Sequence, residues 1–329
     1  MFATRFRQVF TDAVLELLWR QWSSLGVSGH INATGNAYIL DPEALLLFSS
    51  FFARFDQRLY DLVIEWLLLN GESINIPRLK AILKKFPIAD KQSLGLMAAF
   101  VKIKKWQCFA KTLRPKKNSN KQALFLNTDG TSNNFIPHLS ETALLYGFMR
   151  NEYAHGNKVV PFDNSRLSTL LLRLRGAFGL SARAEAILAM LNMDYCRIQD
   201  VADCGKYSWK TASDALDELC LSGIVVTLDN TKRGRSYFLK DASALRSLFG
   251  IKKIVFPDWC GIFNALGKIY QIFNNPHIDD VSEKIIIGEI QAAFTGKGGC
   301  HLHLCGIPAL ARFTPESIGE LPKIIRSIS

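Results

Sequence analysis

The feature that most constrains this chain is the order of local signals between residues 181 and 239. Ala184, Ile187, Leu188 and Leu191 recur at helical spacing behind Ser181, a residue type whose hydroxyl caps a helix start. A short second helix is expected over 197–204, with Ile198, Val201 and Ala202 facing inward and Gly205 ending it. A third opens at Ser208, buries Ala212, Ala215, Leu216 and Leu219, and stops at Gly223. Next come a strand over 224–228, a turn at Asp229 and Asn230, a basic tip (Lys232, Arg233, Gly234, Arg235) and a return strand over 237–239. Three helices followed by a two-stranded wing predict a winged helix-turn-helix. That scaffold lays its third helix in the DNA major groove and its wing tip over a phosphate backbone.

The run 198–225 resembles the winged-helix domains of bacterial regulators of the MarR and ArsR type. Stretches at 41–46, 58–67 and 172–185 are similar to a broad group of uncharacterised bacterial winged helix-turn-helix proteins. The regulator-type likeness covers about a fifth of the chain. It implies a predicted DNA-binding transcriptional regulator and no established activity. Winged helices also serve as protein-docking modules, so the likeness speaks more to fold than to function.

A chain of 329 residues holds two or three domains with sizeable cores. A hydrophobic share of 48% with 21% charged residues describes an ordered globular protein, and the local helix and strand signals make a mainly helical fold with small β-hairpin wings the expected class. The expected organisation is an N-terminal helical segment at 1–40, a helical unit at 41–127, a linker and connecting helix at 128–180, the winged unit at 181–245 and a C-terminal helical domain at 246–329. In that last part, helices over 259–273 and 281–294 either pack on the winged unit or form a homodimer interface. No apolar run is long enough for a membrane span. Residues 2–22 carry Arg5, Arg7 and Arg20 among aromatics, but Asp12 and Glu16 argue against a targeting peptide, and a packing helix in a cytoplasmic protein is expected. Cys108, Cys196, Cys204, Cys220 and Cys260 sit in apolar surroundings and are expected as buried free thiols.

Positive charge is segregated. Between Ile76 and Phe125 stand thirteen lysines and arginines against the single Asp90, in a chain whose net charge is +11. A polyanion meets this segment first, with an attraction that falls with salt. The same window allows a second winged helix over 41–127: a helix to Asn70, a short strand at 74–76, a helix opened by Pro77, a third capped by Asp90, and strands over 106–110 and 123–127 flanking a basic loop. The alternative is a solvated insertion. Within 181–240 eight cations and eight anions cancel, and Asp214 and Asp217 fall on the exposed side of the third helix. Candidate contacts to double-stranded DNA are therefore Ser208, Trp209, Lys210 and Ser213 at that helix's start, Lys232, Arg233 and Arg235 in the wing, and Lys102, Lys104, Lys105, Arg114, Lys116, Lys117 and Lys121 in the basic segment. Ser208 also reads as a plain cap, Trp209 as a packing residue, and the acidic pair as a protein-docking feature.

Two constellations hint at other chemistry. His301, His303 and Cys305 alternate on one strand face, with Cys260 as a conceivable fourth zinc ligand, but their crowding fits no common zinc motif and buried thiols explain them as well. Arg150, Asn151 and His155 match the Arg-Asn-x-x-x-His pattern of HEPN-type ribonucleases, in which arginine stabilises phosphate charge and histidine moves a proton. Here the pattern closes a helix expected over 140–149, and a structural helix end explains it equally. Phosphate-binding loops, dinucleotide fingerprints and nucleophile elbows are missing, so neither a cofactor nor catalysis is expected.

Overall fold

Helix α1 (Phe2–Ser24) buries Phe6, Phe10, Ala13, Val14 and Leu17, a stripe at helical spacing, and so becomes a wall of the main core. The computed structural model describes residues 2–29, 38–85, 87, 89–116, 120–129, 131–132, 136, 138–230, 234–295 and 306–328. Helix α2 (Pro42–Phe52) starts where Asp41 accepts the Ala44 N–H at 3.1 Å, with Pro42 preset for the first turn. It is apolar on nearly all sides and is buried accordingly, against α1 and the helices that follow. These are α3 (Gln57–Asn70), capped by Asp56, α4 (Ile76–Lys85), α5 (Lys91–Phe100), capped by Asp90 as its sequence predicts, and α6 (Lys104–Thr112).

The strands expected at 106–110 and 123–127 do not form a hairpin. Trp106, Phe109 and Ala110 are buried at helical spacing inside α6, and Lys104 and Lys111 take its outer side. Strand β1 is confined to Gln122–Ala123. Beyond the short helix α7 (Glu141–Leu144) it pairs in parallel with β2 (Phe148–Met149). Residues 74 and 75 form no strand either, and lead directly into α4.

Helix α8 (Leu170–Phe178) introduces the second core. Its unit comprises α9 (Ala182–Asn192), α10 (Ile198–Gly205), α11 (Trp209–Leu221), and the antiparallel strands β3 (Val225–Asn230) and β4 (Gly234–Leu239). Ser181 caps α9 and Ser208 caps α11, each accepting a backbone N–H from the first turn. The hairpin is longer than expected, with Asp229 and Asn230 inside β3 rather than at the turn. A bridge between Cys196 and Tyr237 ties β4 to the segment before α10. Gly223, at φ 75°, provides the left-handed turn after α11 that favours glycine.

Helix α12 (Ala242–Leu248) closes that unit, and the chain then returns to the first core. Helix α13 (Trp259–Phe273) begins at the expected residue and packs on α1 and α2, where Phe263 stacks on Phe48 with centroids 4.4 Å apart. Helices α14 (Glu283–Thr295), α15 (Pro308–Ala311) and α16 (Leu321–Ser327) follow, with α16 against α1. The C-terminal helices thus complete the N-terminal core, and the α8–α12 unit is inserted between its two halves. Among the described residues the molecule is mainly helical with two small two-stranded sheets, and no helix is long and apolar enough to cross a membrane.

Candidate nucleic-acid interface

The first turn of α11 projects from the inserted unit. Ser208, Trp209, Lys210 and Thr211 are all exposed, whereas Ala212, Ala215, Leu216 and Leu219 hold the helix to its core. Trp209 is 57% exposed, so it is not the packing residue its type suggests. Lys210 lies 3.4 Å from Asp214, and this solvated pair contributes little to stability. Ser213 is half-buried, and Asp217 is exposed one turn further on. Ser208 has a definite structural role, since its Oγ accepts the Thr211 N–H at 3.1 Å.

What fixes this helix start in space is the turn before it. Lys206 adopts a left-handed conformation (φ 60°) that a non-glycine residue rarely takes, and its ammonium is held 3.0 Å from Asp258 at the start of α13. A side chain at Gly205 would place a Cβ 2.5 Å from the Tyr207 ring, so the chain needs glycine there. The Gly205 carbonyl accepts Arg78 Nε at 2.8 Å, and the Tyr207 hydroxyl accepts Asn75 Nδ2 at 3.0 Å. Both donors belong to the start of α4.

Arg78 is wholly buried and belongs to a five-residue ionic cluster. Its other nitrogens donate to Asp41 at 2.5 and 2.8 Å and to Glu43 at 2.7 Å. Arg175 of α8 donates to Glu43 at 2.8 and 2.9 Å and to Glu185 of α9 at 2.7 Å. Burial alone raises the Asp41 carboxyl, but the Arg78 charge and its hydrogen bonds prevail and hold it at about 2. Arg78 is correspondingly raised well above the ordinary guanidinium value despite its desolvation. Three carboxylates face two guanidiniums, and among the described residues Glu185 Oε2 is buried without a hydrogen-bond partner. Sequence reasoning missed this cluster. The available signal was a lone Glu43 inside the apolar run of α2 and an Arg175 among the leucines of α8.

Helix α4 also carries a basic outer face. Lys80 and Lys84 are exposed, and Lys80 Nζ sits 5.7 Å above the Phe109 ring of α6, while Lys104 and Lys111 are exposed on the outer side of α6. Lys102, Lys116 and Lys121 are exposed, and Arg114, also exposed, lies 5.9 Å from the Tyr146 ring centroid. Lys105 points elsewhere: its ammonium caps the Glu72 and Ile74 carbonyls and pairs with Glu72 at 3.0 Å. Arg235 is exposed on β4 and interacts with Tyr237. Lys117, Lys232 and Arg233 lie outside the described residues, as do His301, His303 and Cys305. Among the described residues no cluster of histidine, cysteine and carboxylate side chains is arranged to hold a metal.

The Arg150–His155 pattern is not on a helix, because α7 ends at Leu144 and residues 150–155 take no helical structure. Arg150 is 2% exposed. Its Nη1 donates to Asp61 at 2.8 Å, and the rings of Tyr60, Phe100, Phe125 and Tyr153 surround the guanidinium at 5.3 to 5.9 Å. His155 is half-exposed, with Nδ1 accepting the Asn157 N–H at 3.3 Å and lying 3.6 Å from Glu65. Glu65 itself is buried and accepts the backbone N–H groups of Gly156, Lys158 and Val159. These contacts describe a structural tie for the 150–159 segment. Of the expected buried thiols, Cys196 and Cys260 are buried, Cys204 and Cys220 are half-buried, and Cys108 is exposed on the outer side of α6.

In comparisons with known proteins, no family model, no curated protein and no solved structure matches this chain.

Proposed function

We propose that residues 182–239 act as a winged helix and that the protein is a cytoplasmic, non-catalytic transcriptional regulator that binds double-stranded DNA. The observation that carries this reading is the exposed first turn of α11, anchored through Gly205 and Tyr207 to the helix that opens the basic face. In this reading Trp209, Lys210 and Ser208 meet the groove, and Ser213 lies just behind them. The β3–β4 hairpin, with Arg235, follows one backbone. Lys80, Lys84, Lys104 and Lys111 neutralise phosphates alongside, positioning the duplex without specifying its sequence. The acidic residues of α11 sit beyond its first turn, which leaves the helix start as the part able to approach a polyanion. The likeness of 198–225 to the MarR and ArsR regulators agrees with this assignment. Burial of the Arg150 guanidinium against Asp61 disfavours the ribonuclease reading, because that group has no free face to offer a phosphate.

The test is fluorescence anisotropy of labelled genomic duplexes against the purified chain over a salt series. Binding is expected to weaken with log salt at a slope of about −0.9 per neutralised phosphate. Replacing Lys80, Lys84 and Lys104 with alanine should make that slope shallower and lower affinity about tenfold at moderate salt for all sequences alike. Lys210→Ala should change preference among sequences. No detectable binding at low salt would refute the proposal.

A further inference from the structure

We propose a second site of different chemistry: the cleft between the end of α13, α14 and the 3-10 turn Pro315–Glu320 binds a lipophilic organic cation. The cleft has a volume of about 490 Å³, within the size range of small-molecule sites. Its floor is hydrocarbon, made by buried Phe273, Ile278 and Ile290, and half-buried Ile286 and Ile318 form the walls. Three carboxylates stand on the rim, Asp279 in the turn before α14, Glu283 in its first turn and Glu316 across the cleft, all on solvent-exposed residues. Among the described residues no lysine, arginine or histidine lines it. In a chain of net charge +11 this is a local reversal of sign.

The composition selects the ligand class. An anion meets three like charges. A metal ion or a small hydrated cation must give up its water for a mostly hydrocarbon surface, which is costly. A bulky cation with delocalised charge loses little hydration, buries its apolar surface on the isoleucines and Phe273, and still feels the attraction of the carboxylates. The site shares no residue with the α4, α6 and α11 surfaces, so it attracts a partner of opposite sign to theirs.

Isothermal titration of the full chain with tetraphenylphosphonium, without DNA, tests this. Tetraphenylborate serves as the anion of the same shape. The phosphonium should bind with a Kd of about 10 µM, ordinary for a ligand of this size. An Asp279→Asn, Glu283→Gln, Glu316→Gln triple variant should weaken it about tenfold, with tetraphenylborate binding no worse than to the parent chain. Ile286→Trp, which fills the cleft from its wall, should abolish phosphonium binding. If that chain does not fold, Ile318→Trp takes its place. The proposal is overturned by absence of phosphonium binding, by undiminished binding in the triple variant, or by undiminished binding in the filled variant. The second outcome would make the cleft apolar without selection for charge, and the third would place the cation elsewhere on the surface.

Discussion

Replacing Arg78 with methionine tests whether the ionic cluster holds the α10–α11 turn in place. Methionine keeps the apolar stem and removes the guanidinium, which leaves Asp41 and Glu43 buried, with Arg175 as the cluster's remaining cation. Breaking a buried pair in this way costs about 3–5 kcal/mol, because the abandoned carboxylates are still desolvated. With an unfolding entropy of about 2.1 cal/mol/K per residue, 329 residues correspond to about 0.7 kcal/mol per degree. The melting temperature at pH 7 should therefore fall by about 4–7 °C. The acid limb should change as well. Asp41 is held at about 2, below its ordinary 3.8, so its contribution of about 2 kcal/mol is fully present above pH 4 and is lost as pH falls through 2. Without Arg78 that contribution is absent at every pH, so the gap between parent and variant should narrow between pH 4 and pH 2.5. Scanning calorimetry across this range measures both effects. A melting temperature within 1 °C of the parent at pH 7, or a gap independent of pH, would refute the reasoning.

Ser208→Ala removes the cap of α11 and should cost about 1 kcal/mol, while Ser208→Gly should cost only a few tenths, both read by chemical denaturation. Cys108 is exposed, whereas burial pushes the Cys196 thiol up to about 12 and raises the Cys260 thiol as well. Iodoacetamide at pH 8 should thus label Cys108 well before either, as peptide mass mapping would show, and equal rates would contradict the burial. The parent chain and His155→Ala should give the same background on labelled RNA, and faster cleavage by the parent would revive the ribonuclease reading. Arg150→Ala should lower stability by about 3 kcal/mol by emptying the aromatic pocket that holds its guanidinium and taking the ion-pair partner from Asp61.

Signals that act over a few residues were legible from the sequence. Ser181, Asp90 and Ser208 cap the helices expected of them because a cap is decided by one side chain and the next turn. The 106–110 segment misled for a related reason. Alternation and helical spacing are hard to separate over five residues, and tertiary packing of Trp106, Phe109 and Ala110 decided for the helix. The ionic cluster was invisible in a different sense. Glu43 meets Arg175 across 132 positions and Arg78 reaches Gly205 across 127, and nothing in a local window announces such a partner. The same holds for the C-terminal helices, whose apolar faces gave no sign that they complete the N-terminal core. At the candidate interface the residues at the start of α11 were named from sequence, but the anchoring of that start to α4 was not.

The burial pattern of the tryptophans gives this protein a spectroscopic handle. Of six tryptophans, Trp19, Trp22, Trp66, Trp106 and Trp259 are exposed by 2% or less, and Trp209 by 57%. Acrylamide in water therefore reaches essentially one indole, whose emission is also the most red-shifted of the set. Collisional quenching reports on the first turn of α11 alone, against a background of five shielded fluorophores. Any partner that covers that turn, nucleic acid or protein, silences the quenchable fraction, while a ligand bound in the α13–α14 cleft leaves it unchanged unless the two places are coupled. The native chain thus carries its own reporter for occupancy of the helix start, with no label introduced.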